Sequence, residues 1–242
     1  MIGIVGAKGF IGSNLMRMLP SSVAIFPPTA TKTEIDSLSA LYIAAPTSSK
    51  YLVQNNPLED RENVLELSKS LIEFSRIKNV VLFSTIDVYQ NRVACDEDSS
   101  TMHDISYGGN RMILEDRLNL IFSDLRIVRL CGVYGPGLKK NLIFDIKNHR
   151  PSEVAKYAPE SSYQLIHIGE VYKFITGERA DFPNLINLVT EPISVSEILS
   201  DTDLIARGRD VVRYNVKSKY FEGGYAYSKQ HSLNSIKDFL ND

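Results

Sequence analysis

The sequence predicts an α/β protein built on a doubly wound parallel sheet. Short apolar segments typical of strands alternate with segments of helical spacing through the first 137 residues. Residues 40–45 are apolar at every position, as expected of a parallel strand covered on both faces. A glycine-rich segment lies between the first predicted strand and the first predicted helix. These three observations together define the fold class.

The predicted elements follow in order from the amino terminus. Residues 2–5 form a strand, and residues 11–19 form a helix that Pro20 ends, because proline cannot continue helical hydrogen bonding. Further strands are predicted at 23–26, 40–45, 79–83 and 126–130, and further helices at 58–75 and 106–120.

The pattern loosens after residue 137. Shorter strands are predicted at 163–168, 185–189 and 210–216, with short helices between them. We therefore divide the chain at this point. Residues 1–137 are predicted to carry the sheet, and residues 138–242 a small carboxyl-terminal lobe on the substrate side, with segments that return to the sheet.

Composition narrows the class of function. A formal net charge of −2 over 242 residues gives no argument for a surface that binds nucleic acid or an anionic membrane. Cys95 and Cys131 form no motif, and the four histidines lack ligand spacing, so no disulfide framework and no metal site are expected. No apolar run approaches the length that crosses a bilayer, and the amino terminus has the spacing of a strand and turn rather than a signal peptide. We expect a cytoplasmic protein.

The glycine-rich segment has a mechanical interpretation. Gly6 permits a tight turn after the strand, Gly9 lets the backbone approach a pyrophosphate, and Gly12 lets the following helix pack closely. The amide groups at the start of that helix then face the phosphates. This context predicts a Rossmann-type domain that binds a nicotinamide dinucleotide. The alternative is a glycine-rich turn that binds no ligand.

The end of the second predicted strand bears on the choice between NAD and NADP. An acid that holds the ribose hydroxyls of NAD is expected there, but Phe26 and two prolines occupy the place, and the first acid is Glu34. Lys8 and Lys32 lie nearby in sequence, which gives a weak preference for NADP. The alternative is that both lysines are solvated surface charges.

Several ordered motifs resemble the extended short-chain dehydrogenase/reductase family, over essentially the whole chain. Beside the glycine loop, these are an apolar strand ending in two alanines, a strand ending in Ser-Thr, a helix that opens Tyr-Gly-x-x-Arg and continues to a glutamate, and a strand leading to Gly-Pro-Gly; they occupy residues 42–45, 83–89, 107–115 and 129–137. The resemblance implies an enzyme that uses NAD or NADP. It implies cofactor contacts from Gly6, Lys8, Gly9, Phe10, Ile11, Gly12, Ala44, Ala45, Ser84, Tyr107, Arg111 and Leu130, and substrate contacts from Asp87, Lys140 and Asn141.

The same resemblance implies a catalytic group of Thr85, Tyr107 and Arg111. Tyr107 and Arg111 are four residues apart, so they project from one face of a helix. A cation beside a tyrosine stabilises the phenolate, so we expect Arg111 to lower the pKa of Tyr107 toward neutrality. Thr85 would hydrogen-bond the oxygen that gains or loses a proton. The alternative is a half-buried tyrosine, with Arg111 and Glu115 as an exposed ion pair.

Four departures from the family pattern qualify this interpretation. Arg111 stands in place of a lysine, and its planar guanidinium must be placed differently against the ribose and Tyr107. Gly132 stands where many sugar-nucleotide enzymes carry asparagine. The span between the glycine loop and Ala44 is short, as if one strand–helix unit on the adenine side were missing. Ile86 follows Thr85 where dehydratases carry an acid, and since Ile86 cannot supply a proton, we predict that the enzyme is not a dehydratase.

The sequence therefore predicts an NAD(P)-dependent reductase acting on a keto group of a nucleotide-linked sugar. One alternative is an epimerase that retains its cofactor, and another is a dinucleotide-binding regulator or scaffold without turnover. In the family the helices predicted at 58–75 and 106–120 often pair across a homodimer, although their apolar stripes could equally face the sheet.

Overall fold

The computed structural model describes residues 1–46, 50–177 and 181–242. Its strands are β1 (Ile2–Val5), β2 (Ser22–Ile25), β3 (Ala40–Ile43), β4 (Val80–Thr85), β5 (Val93–Cys95), β6 (Leu125–Leu130), β7 (Gly132–Tyr134), β8 (Ser162–Tyr163), β9 (Leu165–His167), β10 (Leu185–Leu188), β11 (Ile193–Ser194) and β12 (Asn215–Val216). Its helices are α1 (Phe10–Met18), α2 (Lys32–Asp36), α3 (Lys50–Asn55), α4 (Pro57–Ser70), α5 (Tyr107–Ile121), α6 (Leu142–Lys147), α7 (Pro151–Val154), α8 (Ile168–Thr176), α9 (Val195–Leu199) and α10 (Lys229–Asn241).

The main sheet is parallel and open. Within the described ranges its order is β10-β6-β4-β3-β1-β2, and the pairings among β2, β1, β3, β4 and β6 are all parallel. From β1 the chain goes to β2 on one side and then to β3, β4 and β6 on the other. This reversal of direction beside β1 is the switch point that defines a Rossmann-type sheet. The predicted fold class is confirmed.

The core beside this sheet explains why the central strands are uniformly apolar. Every residue of β3 is buried, and in β4 all except Thr85 are buried. Side chains of α4 and α5 pack into the same core, so the apolar stripes of these helices face the sheet. The core includes Leu41, Ile43, Val64, Leu71, Val80, Leu82, Leu114 and Leu118.

The chain divides into two compact units. The first comprises residues 1–90, 99–130 and 178–186, and the second comprises residues 91–98, 131–177 and 187–242. The single boundary predicted at 137–138 is coarser than this division, because the chain passes between the units several times.

The second unit has a separate core and several short strand pairs. β7 pairs with β9, β8 with β11 and β12 with β5. The strand predicted at 163–168 is divided into β8 and β9 at Gln164. The buried side-chain amide of Gln164 donates to the carbonyls of Thr190 and Val216 and accepts from the Val216 amide. The Gln164 side chain thus bonds three backbone groups at the point where β8 ends and β9 begins.

The prediction of a strand at 210–216 is mostly wrong, because within this segment only β12 forms a regular strand. The chain before it bonds β8 at isolated points. The Val212 carbonyl accepts from the Ser162 amide at 2.9 Å, and the Tyr214 amide donates to the Ser162 carbonyl at 3.1 Å. The helix predicted at 58–75 ends earlier, at Ser70, and a short 3-10 turn (Ile72–Phe74) follows it.

The abbreviated side of the sheet agrees with the short spacing in the sequence. β2 is the last strand in the order, and between β2 and β3 the chain forms only a 3-10 turn and the five-residue α2. A further strand–helix unit is therefore missing there, as the sequence indicates. Among the described residues, the helices are all too short or too polar to span a membrane.

Candidate active site

The glycine loop between β1 and α1 is sterically constrained. Gly6 has a φ of +83°, a backbone conformation that favours glycine, and a Cβ there would lie 2.4 Å from the Ala44 carbonyl oxygen. A Cβ on Gly12 would lie 2.2 Å from the Gly6 carbonyl oxygen. The Gly9 amide closes the turn by donating to the Gly6 carbonyl at 2.8 Å.

The same loop suits an anionic group. Gly9 is exposed and caps α1 without a side chain, and the first turn of α1 contains no acidic residue. The amide dipoles at a helix start favour a phosphate. The loop therefore fits the pyrophosphate of a dinucleotide, which Phe10 and Ile11 would approach as the first two residues of α1.

The carboxyl ends of the parallel strands bring the other predicted residues to one edge. The Ala44 amide, just after β3, donates to the Val5 carbonyl at 2.9 Å, so Ala44 and Ala45 lie beside the glycine loop. Thr85 at the end of β4 is paired in register with Leu130 at the end of β6. Ligands of open α/β sheets bind at this edge.

Thr85 begins a tight turn that presents Asp87. Its hydroxyl oxygen accepts from the Asp87 amide at 3.1 Å and caps a 3-10 turn (Ile86–Val88). The Asp87 carboxylate accepts from the Lys50 ammonium of α3 at 2.9 Å. Asp87 is thus paired within the first unit, in addition to the substrate contact that the resemblance predicts for it.

Tyr107 is held near this turn by the packing of α5. The Ser106 hydroxyl caps the helix by accepting from the Gly109 amide at 3.1 Å. A Cβ on Gly108 would lie 2.0 Å from the Asp87 carbonyl oxygen, so the start of α5 contacts the Asp87 backbone directly. Tyr107, the first residue of α5, therefore lies beside the turn that follows Thr85.

The charges around Tyr107 have opposing effects on its phenol. Burial raises the pKa of Tyr107, Arg111 lowers it, Asp87 raises it and Lys50 lowers it, and the net shift is upward. The net shift is thus away from neutrality, contrary to the expectation for Arg111, because desolvation outweighs the cation. The phenol is neutral at physiological pH.

Arg111 has a partner that the sequence did not indicate. Its guanidinium lies over the Tyr107 ring, 4.7 Å from the centroid, and two of its nitrogens donate to the two oxygens of Asp60 in α4 at 2.9 and 3.1 Å. The amide of Asn110 also donates to Asp60, at 2.7 Å. Arg111 and Asp60 are buried. The predicted contact between Arg111 and the cofactor ribose stays a prediction.

A second buried network joins α5 to β4 and β6. The Ser84 hydroxyl donates to Glu115 of α5, and the guanidinium of Arg129 donates to both oxygens of Glu115. Arg129 also donates to the Tyr89 hydroxyl at 2.8 Å. Because successive strand residues point to opposite faces, Ser84 faces Glu115 while Thr85 lies at the strand end. Ser84 thus belongs to a buried hydrogen-bond network, and its predicted cofactor contact stays a prediction.

The residues that bear on cofactor choice lie in the glycine loop and after β2. The Lys8 ammonium lies over the ring of Phe26, 5.2 Å from the centroid. Glu34, the first acid after β2, caps α2 by accepting from the amide and hydroxyl of Thr31 at 2.7 and 2.8 Å. These bonds lower the pKa of Glu34.

Lys140 and Asn141 belong to the second unit. Asn141 adopts a φ of +101° and caps α6, accepting from the Phe144 amide at 3.1 Å. Partial burial lowers the pKa of Lys140. Their predicted substrate contacts stay predictions.

Sequence reasoning missed Asp60, Lys50 and Arg129. Asp60 precedes the buried Val64 by four residues, so its helical spacing could have indicated a buried acid that needs a partner. Lys50 follows a segment that the structure does not describe, residues 47–49, and had no distinguishing pattern. Over the described ranges, no group of three or more potential ligands is arranged to hold a metal ion.

The chain is similar in fold to known enzymes of nucleotide-sugar metabolism. No protein-family model matches it, and no curated protein matches its sequence. Solved structures do match over nearly the whole chain. A UDP-N-acetylglucosamine 4-epimerase from Methanobrevibacter ruminantium, in complex with UDP-N-acetylmuramic acid, is 17% identical with a TM-score of 0.78, covering 99% of this chain and 96% of that one.

Two further structures represent other reactions on the same fold. The NAD-dependent NDP-hexosamine 5,6-dehydratase TunA, of tunicamycin biosynthesis, is 18% identical with a TM-score of 0.76, covering 99% and 96% of the two chains. The dTDP-4-dehydrorhamnose reductase from Yersinia enterocolitica is 12% identical with a TM-score of 0.74, covering 99% and 98%. The predicted resemblance to the extended short-chain dehydrogenase/reductase family is confirmed at the level of the fold.

Proposed function

We propose that this protein is an NAD(P)-dependent oxidoreductase that reduces a keto group on a nucleotide-linked sugar. The observation that carries the proposal is the position of Tyr107. It lies at the start of α5, against the turn after Thr85 and with the Arg111 guanidinium over its ring. A protein that only bound a dinucleotide would need neither the Thr85 hydroxyl nor the Tyr107 phenol.

The glycine loop and the strand ends would hold the cofactor. Gly6, Gly9 and Gly12 keep side chains away from the backbone at the start of α1, and Ala44 and Ala45 add small side chains beside it. When bound, a reduced nicotinamide supplies the hydride that a ketone carbon accepts.

The hydroxyl of Tyr107 is the proposed proton donor in the reduction. Like an ordinary tyrosine, the phenol carries its proton at neutral pH and can donate that proton to the keto oxygen as the ketone becomes an alcohol. Thr85 would hydrogen-bond the same oxygen and fix its position. The resulting phenolate would be stabilised by the Arg111 guanidinium on its ring.

The proposed substrate class rests on the fold and on the predicted contacts. The three similar enzymes named above act on nucleotide-linked sugars, and one is NAD-dependent. Asp87, Lys140 and Asn141 are the proposed substrate contacts, and Arg111 remains the proposed ribose contact. Dehydration is disfavoured because Ile86 offers no proton-transfer group after Thr85. A homodimer through α4 and α5 and a cytoplasmic location stay predictions.

Tyr107→Phe tests the proposal. We expect kcat for the oxidation of NADH or NADPH by keto sugars linked to UDP or dTDP to fall about 10²- to 10⁴-fold, since a positioned acid contributes this much. Dinucleotide affinity, measured by protein fluorescence, should hardly change because only one hydroxyl is removed. Tyr220→Phe, at an exposed tyrosine of the second unit, is the matched control and should be fully active.

Other results would favour the rival functions. Interconversion of two nucleotide sugars with no net consumption of dinucleotide would indicate an epimerase. Dinucleotide binding with no turnover of any sugar would indicate a regulator or scaffold. Full activity of Tyr107→Phe would remove Tyr107 from the mechanism.

A further inference from the structure

The last two positions of the motif that opens α5 share one buried acid. Asn110 and Arg111 follow Tyr107 on this helix, and both donate to the carboxylate of Asp60 in α4. The Asn110 amide lies 2.7 Å from one carboxylate oxygen, and two guanidinium nitrogens of Arg111 lie 3.1 and 2.9 Å from that oxygen and its neighbour. The side chains of Asp60 and Arg111 are 4% and 6% exposed. A charge-assisted bidentate pair of this kind has a well-defined geometry.

Asp60 is itself held at the start of α4. The Asn110 amide donates a second bond to the Pro57 carbonyl at 2.9 Å, and its oxygen accepts from the Arg61 guanidinium at 2.8 Å. Both donors and the acceptor of the Asn110 side chain are thus used on the beginning of α4. Because Asp60 lies between Pro57 and Arg61, it cannot move relative to α5 unless several hydrogen bonds break.

Arg111 connects this anchor to Tyr107. Its guanidinium lies over the Tyr107 ring, 4.7 Å from the centroid. A guanidinium is planar and stacks on aromatic rings, and here the two bonds to Asp60 fix its position. Tyr107 is the first residue of α5 and is only partly buried, so core packing alone does not set the orientation of its ring. That orientation therefore depends on the guanidinium, and through it on Asp60.

We propose that Asp60 is a positioning residue of the reaction: it holds the Arg111 guanidinium against the Tyr107 ring and so keeps the phenol in the orientation that proton transfer needs. This inference rests on the proposed function, because it assigns a role to Asp60 through Tyr107. It also accounts for the arginine at position 111. A lysine would balance the charge of Asp60, but its single ammonium could not form the two parallel bonds that fix the cation over the ring.

Asp60→Asn tests the proposal by kinetics. The variant keeps the size of the side chain, but the amide group that replaces one oxygen cannot accept from Arg111. We expect kcat for reduction of the keto sugar to fall roughly ten- to hundredfold, since displacing a reacting group by about 1 Å can cost about 10²-fold. KM for the sugar and for the dinucleotide should change little. Glu59→Gln, at the exposed acid before Asp60, is the matched control and should keep the parent kcat.

A double variant separates positioning of Tyr107 from a general loosening of the site. When Asp60→Asn is combined with Tyr107→Phe, no phenol is left to misplace, so kcat should equal that of Tyr107→Phe alone. A general loosening would lower the residual turnover by the same factor as in the parent. Equal factors in the two backgrounds overturn the proposal, and so does a parent kcat in Asp60→Asn.

Thermal unfolding of each variant shows whether it is folded. Asp60→Asn leaves the charge of Arg111 buried without its partner, which can cost enough stability to unfold the protein. Asp60→Glu keeps that charge paired but changes the reach of the side chain, so its kcat should lie between those of Asp60→Asn and the parent. Where Asp60→Asn does not fold, the cycle with Tyr107→Phe is made with Asp60→Glu, and a parent kcat in Asp60→Glu then overturns the proposal.

A measurement without turnover separates this inference from the proposed function. In full-length protein labelled with [15N]arginine, the Arg111 signals are assigned by their absence in Arg111→Lys. We expect separate signals for its two terminal nitrogens in the parent, because the bonds to Asp60 stop the guanidinium from rotating, and one averaged signal in Asp60→Asn. An averaged signal in the parent would overturn the role of Asp60 alone. Separate signals together with a fully active Tyr107→Phe would overturn the proposed function, and the role of Asp60 in the reaction with it.

Discussion

At the scale of single residues, the buried charges of the first unit are paired between elements and not along one helix. Arg111 and Glu115 are four residues apart on α5, but Arg111 binds Asp60 of α4 and Glu115 binds Arg129 of β6. The alternative of an exposed Arg111–Glu115 ion pair is therefore wrong. Each buried pair fixes α5 to a different neighbour, so the helix that carries Tyr107 is held from two sides.

The Arg111–Asp60 pair gives a prediction for stability. Arg111→Ala leaves the Asp60 carboxylate buried without its bidentate partner, and breaking a buried pair in this way costs about 3–5 kcal/mol of unfolding free energy. Arg117→Ala, at an exposed arginine of the same helix, should cost about 0.5 kcal/mol or less. Urea unfolding followed by circular dichroism measures both values.

Arg111→Lys separates charge from geometry in the same experiment. Lysine keeps the positive charge but cannot form two parallel bonds to Asp60, so its stability should lie between the parent and Arg111→Ala. Equal unfolding free energies for Arg111→Ala and Arg117→Ala would contradict the buried pairing.

At the scale of elements, the unit formed by β1, the glycine loop and α1 is the part of the fold best predicted from sequence. β1 has the predicted bounds, and α1 begins and ends one residue earlier than predicted. The signals here are local, because the glycines, the apolar strand and Pro20 all act within a few residues. The same holds for α5, predicted at 106–120 and found at Tyr107–Ile121.

The loop gives a prediction for binding. Gly12→Ala places a Cβ 2.2 Å from the Gly6 carbonyl oxygen, so α1 must move away from the strand or the turn must open. We expect dinucleotide affinity, measured by fluorescence titration, to fall on the order of tenfold, with a loss of stability of about 1–3 kcal/mol from overpacking.

Ser13→Ala is the matched control for this change, because it lies in the same turn of α1. Its hydroxyl donates to the Phe10 carbonyl within the helix. Its affinity should stay near that of the parent. An unchanged affinity in Gly12→Ala would show that close packing of α1 is not required for binding.

The elements that sequence reasoning missed depend on distant partners. Residues 210–213 lie in an irregular segment, since their bonds go to Ser161 and Ser162 about 50 positions away. Lys50 gains its meaning from Asp87, and Asp60 from Arg111, each on a separate element. Local periodicity cannot report such pairings. The motifs therefore predict Thr85, Tyr107, Arg111 and Asp87 as site residues, but they do not predict Asp60 and Lys50, the partners of Arg111 and Asp87.

At the scale of the whole molecule, the abbreviated sheet bears on cofactor choice. The acid expected after β2 is absent from the sequence, and Glu34 bonds Thr31 at the start of α2. The Lys8 ammonium lies over Phe26 at the place where the adenosine ribose is expected. Lys8 therefore provides a cation beside Phe26, and the weak preference for NADP stays a prediction. The fold relatives include an NAD-dependent enzyme, so the two cofactors need a direct comparison.

Thermal unfolding of the full chain makes that comparison. A ligand at 100 times its Kd stabilises the folded state by about 2.7 kcal/mol, which for a domain of this size raises Tm by roughly 5–10 °C. We expect NADH and NADPH both to raise Tm, and NADPH to do so at the lower concentration.

Lys8→Gln should reduce the effect of NADPH more than that of NADH, because only NADPH carries a phosphate on the adenosine ribose. Lys69→Gln, at an exposed lysine of α4, should alter neither response. Equal loss of both responses in Lys8→Gln would mean that Lys8 contacts the pyrophosphate that NADH and NADPH share. If neither dinucleotide raised Tm in the parent protein, the dinucleotide site on which the proposed function depends would be contradicted.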